Sequence, residues 1–145
     1  MTSADWTEIA HGLGRTFSYL GVGVVLLAAG FHVLDMLTPG KLADFIMTQR
    51  NRNAARVASA AMLSLAIVIA TAVVTTNDDF AFGLVSTAIF GAVGVLLQTV
   101  VYVVLDFLTP GKLGDVVCAP EDHPGSWVLA ASLLASGVIV AACIS

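Results

Sequence analysis

Charge divides this chain into long apolar stretches. Four of them contain no Asp, Glu, Lys or Arg: one between Arg15 and Asp35, one from after Arg56 to Asn77, one from after Asp79 to Asp106, and one from Gly125 to Ser145. A helix needs about 20 mostly apolar residues to cross a hydrocarbon layer of roughly 30 Å. Each stretch is long enough. Period-two alternation is absent. Backbone groups in lipid must also pair internally, which rules out strands of an open sheet. Four transmembrane helices are therefore predicted. The third stretch exceeds the required length, which predicts tilt or an interfacial start near Phe80 and Phe82. The first stretch is expected to stay in the membrane rather than act as a cleaved leader, because Asp5 and Glu8 precede it instead of a basic cluster.

The pattern occurs twice. "DMLTPGKLADF" (residues 35–45) is followed 71 positions later by "DFLTPGKLGDV" (residues 106–116), each directly after an apolar run. Leu37 to Leu42 match Leu108 to Leu113 without a change. Val22, Gly23 and Val24 fall on Val93, Gly94 and Val95. Each half reads as a helix, the shared motif, a short polar segment and a second helix. Two crossings per half return the chain to its starting side, so the halves are parallel repeats about an axis along the membrane normal. The expected fold is an all-α membrane protein: one membrane domain over residues 1–145, with repeat 1 at about 15–76 and repeat 2 at about 80–145. Its four transmembrane helices form two parallel two-helix repeats, with a short cytoplasmic interfacial helix after each Thr-Pro-Gly break.

The motif itself reads as a stop and restart. Pro39 and Pro110 lack an N–H and disfavour helical geometry in the preceding residue. Thr38 and Thr109 are good N-caps for a helix restarting at the proline. Gly40, Lys41, Gly111 and Lys112 complete the two motifs. In the first half the restarted helix is expected from Pro39 to about Asn51, with Leu42, Phe45 and Ile46 on one apolar face.

Asp35 and Asp106 precede each break by a few residues, near the inner edge of the hydrocarbon. A carboxylate there is costly unless paired, hydrated or protonated. Three arrangements satisfy that condition: an ion pair with Lys41 or Lys112, a hydrogen bond to the restarting helix, or two carboxylates facing each other at a central site that attracts a cation. Gln98, Tyr102 and Asp106 are spaced i, i+4, i+8 and share one stripe of the third membrane helix. They form either interhelical hydrogen bonds or half of a polar path. The matching positions in the first half are Leu27 and Phe31, with His32 beside Asp35, so the ladder exists in one half alone. Small residues (Gly23, Gly30, Gly91, Gly94, Ser64, Gly137) predict close helix packing, and four short helices make a homo-oligomer the expectation.

Composition agrees with the pattern. The chain is 58% hydrophobic and 11% charged, with a mean hydropathy of +0.94, whereas soluble domains carry about 25% charged residues. The net charge of -4 provides no basic patch for nucleic acid. The Lys and Arg residues number six. Lys41, Arg50, Arg52, Arg56 and Lys112 share one side and Arg15 has the other. The positive-inside rule then puts both motifs in the cytoplasm and both termini outside. No CxxC, HExxH, EF-hand or glycine-rich phosphate pattern occurs. His11, His32 and His123 lie at different depths, which excludes a bis-histidine haem inside the bundle. No enzymatic activity, cofactor or metal is expected.

The duplicated plan, with "LDMLTPGKL" and "VLDFLTPGKL" closing the first helix of each half, resembles the bacterial membrane proteins grouped as domain of unknown function 350, an uncharacterised transmembrane family. The resemblance implies a multi-pass protein of the bacterial inner membrane. It also implies a link to polyamine metabolism, through a soluble cytoplasmic partner. Two roles follow as expectations. One is a small oligomeric channel or transport component for a cation or polyamine, using Asp35 and Asp106 with Gln98, Tyr102 and His32. The other is a scaffold that recruits a soluble partner through residues 38–56 and 109–126. "CAPEDHPGSW" departs from the first half, which has the basic "TQRNRNAAR".

Overall fold

A computed structural model describes residues 3–75, 79–109 and 112–145, with side chains described from Trp6 onward. The described residues form α1 (Ser3–Leu37), α2 (Leu42–Met47), α3 (Arg52–Val74), α4 (Phe80–Leu108), α5 (Leu113–Cys118) and α6 (Gly125–Ile144). Four of these, α1, α3, α4 and α6, are long and apolar enough to cross a membrane. The order long, short, long occurs twice. Pro110 and Gly111 of the second motif, and residues 76–78 of the polar loop after α3, lie outside the described residues.

α1 begins at Ser3, not near Arg15. Residues 3–14 contain no proline, and Ala, Glu and Leu among them favour helix, so the membrane helix extends by roughly three more turns. α4 begins at Phe80, where the Asp79 side chain accepts a hydrogen bond from the Ala81 N–H at 3.1 Å. Phe80 also packs edge-on against Tyr19 (centroids 5.9 Å apart), and the Arg15 guanidinium lies 5.7 Å from its ring centre. These contacts tie the start of α4 to α1.

α3 is the central helix, packing on α1, α4 and α6. Its buried face carries Ala54, Val57, Ala58, Ala61, Ser64, Leu65, Val68 and Ala72 at helical spacing. The closest approach is to α6. A Cβ added to Gly137 would stand 2.8 Å from the Ser64 Cα and carbonyl oxygen. At the same crossing the Ser64 hydroxyl donates to the Leu133 carbonyl at 2.7 Å. Gly94 of α4 receives Val68, and Gly91 receives Leu26 of α1. Small residues thus sit where helices touch, as lipid offers no hydrophobic drive between helices and packing must hold them. Gly91 and Gly94 lie mid-helix in α4 rather than at its start.

The two short helices close one end of this bundle. Leu42 of α2, and Leu113 and Val117 of α5, are buried with Leu34, Val57, Tyr102, Leu129 and Leu133 in one core. The apolar side of α2 therefore turns into the bundle instead of lying along lipid. The helix is also shorter than the 39–51 expectation. Gly40 adopts φ 103 and the chain stays non-helical through Lys41, so the helix starts at Leu42. A fully buried leucine contributes about 1.5–3 kcal/mol where the alternative is water.

Candidate functional site

The residues singled out by the sequence gather at the closed end, and the role of several differs from expectation. Thr38 does not cap α2. Its hydroxyl donates back to the Leu34 carbonyl at 2.9 Å, and Thr109 does the same to Leu105 at 2.7 Å. The N-cap positions are Lys41 and Lys112, whose side chains make no capping hydrogen bond. In the first half the physical reason is the turn at Pro39–Gly40, which places the start of α2 at Leu42, away from Thr38.

Asp35 and Asp106 supply the missing acceptors. Asp35 Oδ1 accepts from the Leu42 N–H at 2.5 Å, and Asp106 Oδ1 accepts from the Leu113 N–H at 2.6 Å. Each carboxylate thus reaches seven residues forward to cap its own short helix. The second of the three arrangements the sequence left open, a hydrogen bond to the restarting helix, is thus present in both halves. Among the described residues neither aspartate forms an ion pair.

The polar stripe of α4 is divided between two tasks. Gln98 Nε2 donates to the Ala61 carbonyl of α3 at 3.0 Å, which is interhelical bonding. Tyr102 is 3% exposed. Its hydroxyl is enclosed beside the Thr38 side chain, short of full hydrogen-bonding geometry. Gln98, Thr99 and Tyr102 line an interior cavity with Gly30, Val33 and Leu133; its volume is about 10 Å³, the lower limit for one water molecule. Tyr102 and Asp106 share a second cavity of about 280 Å³ at the closed end. His32 points outward from α1 and lines neither cavity.

Contacts between the halves were invisible in the sequence. Gly114 of α5 abuts Pro39: an added Cβ would come within 2.5 Å of the proline Cδ. Beside it the Cys118 thiol donates to the Pro39 carbonyl at 3.3 Å. Burial, and then the Asp115 carboxylate, push the Cys118 thiol above its ordinary pKa.

A second set of contacts locks residues 119–126 onto α3. Asn51 caps α3, its side chain accepting from the Asn53 and Ala54 N–H groups. Asn51 Nδ2 also donates to the Ala119 carbonyl at 2.8 Å. Asn53 Nδ2 donates to Ala119 and Glu121, and its oxygen accepts from the His123 N–H. Arg56 pairs with Asp122 through both terminal guanidinium nitrogens and lies over the Trp127 ring at 4.5 Å. Hydrogen bonds from Arg56 hold the Asp122 carboxyl below the usual carboxylate range. The acidic second segment is therefore the partner of the basic first one. An Asn a few residues ahead of the second apolar stretch was the available signal for Asn51. Arg50 (φ 53) and Arg52 flank Asn51 and remain exposed.

The comparisons with known proteins agree with this architecture. A family model described as Domain of Unknown Function (DUF350) matches residues 8–144. The chain belongs to this family. A UPF0719 transmembrane protein of Mycolicibacterium paratuberculosis is 37% identical over 143 residues, covering 99% of this chain and 95% of the relative. UPF0719 transmembrane proteins of Mycobacterium bovis and Mycobacterium tuberculosis are each 37% identical over 139 residues, covering 96% of this chain and 91% of theirs. No solved structure matches. This DUF350 chain is accordingly a transmembrane protein with four helices able to span the bilayer.

Proposed function

We propose that this protein is a non-enzymatic membrane scaffold. Its closed end faces the cytoplasm of a bacterial inner membrane and recruits a soluble partner. The observation that carries this reading is what the two aspartates do: each caps a short helix of the platform. Two further features support it. The interior cavity beside Gln98 and Tyr102 has room for about one water, and Asn51, Asn53 and Arg56 hold the platform loop to α3. Arg50 and Arg52 stay exposed and without an ion-pair partner among the described residues. They are the outward charges that an acidic partner surface would meet. Arg56 is excluded from that role by its bond to Asp122.

A second reading is favoured by one observation, the cavity shared by Tyr102 and Asp106. In a homo-oligomer with a path between copies, that cavity would form a mouth for a cation or polyamine. In both readings the repeats are related by a pseudo-two-fold axis along the membrane normal. The equal seven-residue reach of Asp35 and Asp106 supports that axis.

One experiment separates the two. A photocrosslinking residue at Gln49, beside Arg50, is expected to give a discrete adduct in cells, with one soluble protein identifiable by mass spectrometry. Arg50→Glu with Arg52→Glu should abolish the adduct without lowering the protein's membrane level. Liposomes holding the purified protein should pass cations or spermidine no faster than protein-free liposomes. Flux above that background, lost on Asp106→Asn, would overturn the scaffold reading.

A further inference from the structure

The cavity of about 280 Å³ at the closed end is built across the two halves. Met36, Leu37, Thr38 and Pro39 come from the end of α1. Tyr102, Val103, Asp106, Lys112 and Gly114 come from α4 and α5. Its volume is close to the lower limit of about 300 Å³ for small-molecule sites. Met36 is 75% exposed and Val103 50% exposed, so one wall lies on the surface that meets lipid. The rim is at the level of the helix ends, Leu37 for α1 and Leu108 for α4.

Most polar atoms around this cavity are already engaged. Thr38 donates to Leu34, Cys118 donates to Pro39, and Asp106 Oδ1 accepts from Leu113. Two groups are left without a partner among the described residues: the second oxygen of Asp106 and the Lys112 ammonium. They are one anion and one cation. The Tyr102 hydroxyl is enclosed beside Thr38 and does not open into the cavity.

We propose that this cavity binds the headgroup of an amine-bearing zwitterionic glycerophospholipid such as phosphatidylethanolamine. The phosphate faces Lys112. The ammonium faces Asp106. The acyl chains leave past Met36 and Val103 into the bilayer. The charge pattern selects this class: an anionic headgroup would meet Lys112 but be repelled by Asp106. The close approach that shapes the cavity exists in one half alone. The residue matching Gly114 is Ala43, whose Cβ would keep a proline away.

Native mass spectrometry of the purified protein in detergent tests the site. The probes are phosphatidylethanolamine, phosphatidylglycerol and water-soluble phosphoethanolamine. Phosphatidylethanolamine should bind one to one, about tenfold more tightly than phosphatidylglycerol, the ratio expected for one charge-assisted contact. Lys112→Ala should weaken it by about tenfold, while Lys41→Ala, outside the cavity, should leave it unchanged. Lys112 is exposed, so its variant tests the site without disturbing the core. Equal binding of the two lipids, equal loss in Lys41→Ala, or wild-type binding in Lys112→Ala would overturn the proposal. Binding of free phosphoethanolamine as tight as that of the lipid would overturn the assignment to a bilayer component.

Discussion

At the scale of single residues, the aspartates show how position defines a role. A carboxylate near the end of a membrane helix needs an acceptor's job or a counter-charge. Asp35 and Asp106 find backbone N–H groups at Leu42 and Leu113. An Asn side chain also presents an oxygen acceptor, whereas Ala presents none. Asp106→Asn is therefore expected to keep near-native stability, and Asp106→Ala to lose about 1 kcal/mol, the usual worth of a side-chain cap. Thermal unfolding in detergent measures both. Equal losses in the two variants would show that the charge, not the cap, matters. The sequence allowed this arrangement but did not select it. The capping bond depends on how the intervening Pro39–Gly40 turn folds.

At the scale of elements, the helices follow from hydropathy and their crossings follow from small side chains. The α3–α6 contact is set by Gly137 against the Ser64 backbone. Backbone cannot swing aside as a side-chain tip can. Gly137→Ala is expected to destabilise the protein by about 1–3 kcal/mol, the range for overpacking a close contact. Gly21 is the internal control, because no atom lies within 4 Å of its added Cβ. Gly21→Ala should be neutral, or stabilising by up to about 1 kcal/mol from helix propensity. A matched pair of melting curves reads the difference. Small-residue spacing was legible in the sequence, since Gly30, Gly91, Gly94 and Gly137 all sit at contacts. Which helix each would meet was not. The short helices were legible as breaks at proline, but their direction into the core was not, because Leu42 alone does not say whether lipid or protein will cover it.

At the scale of the whole molecule, the bundle is less symmetric than its sequence. α3 packs on α1, α4 and α6, while α6 packs chiefly on α3 and α4. The basic residues retain a simple distribution: Lys41 and Lys112 lie together at the closed end, and Arg15 lies beside Phe80 at the other. A membrane-impermeant amine reagent applied to intact cells is expected to leave Lys41 and Lys112 unmodified and to modify both in inverted vesicles, as the positive-inside rule requires of the proposed orientation. Reaction of either lysine in intact cells would reverse it.

The sequence by itself determined the number of apolar helices able to cross, the breaks at the Thr-Pro-Gly motifs, and the grouping of charge at the two ends. Those properties are local: hydropathy within about 20 residues, and proline's missing N–H, act wherever the chain finally sits. Tertiary structure alone decided the rest. Asn51 bonds Ala119 across 68 positions of sequence. Arg56 takes Asp122, Gly114 admits Pro39, and Tyr102 brings its enclosed hydroxyl beside Thr38. A polar group in a packed bundle takes the partner that folding brings within hydrogen-bond reach, and that distance is set by helix crossings that no local pattern encodes.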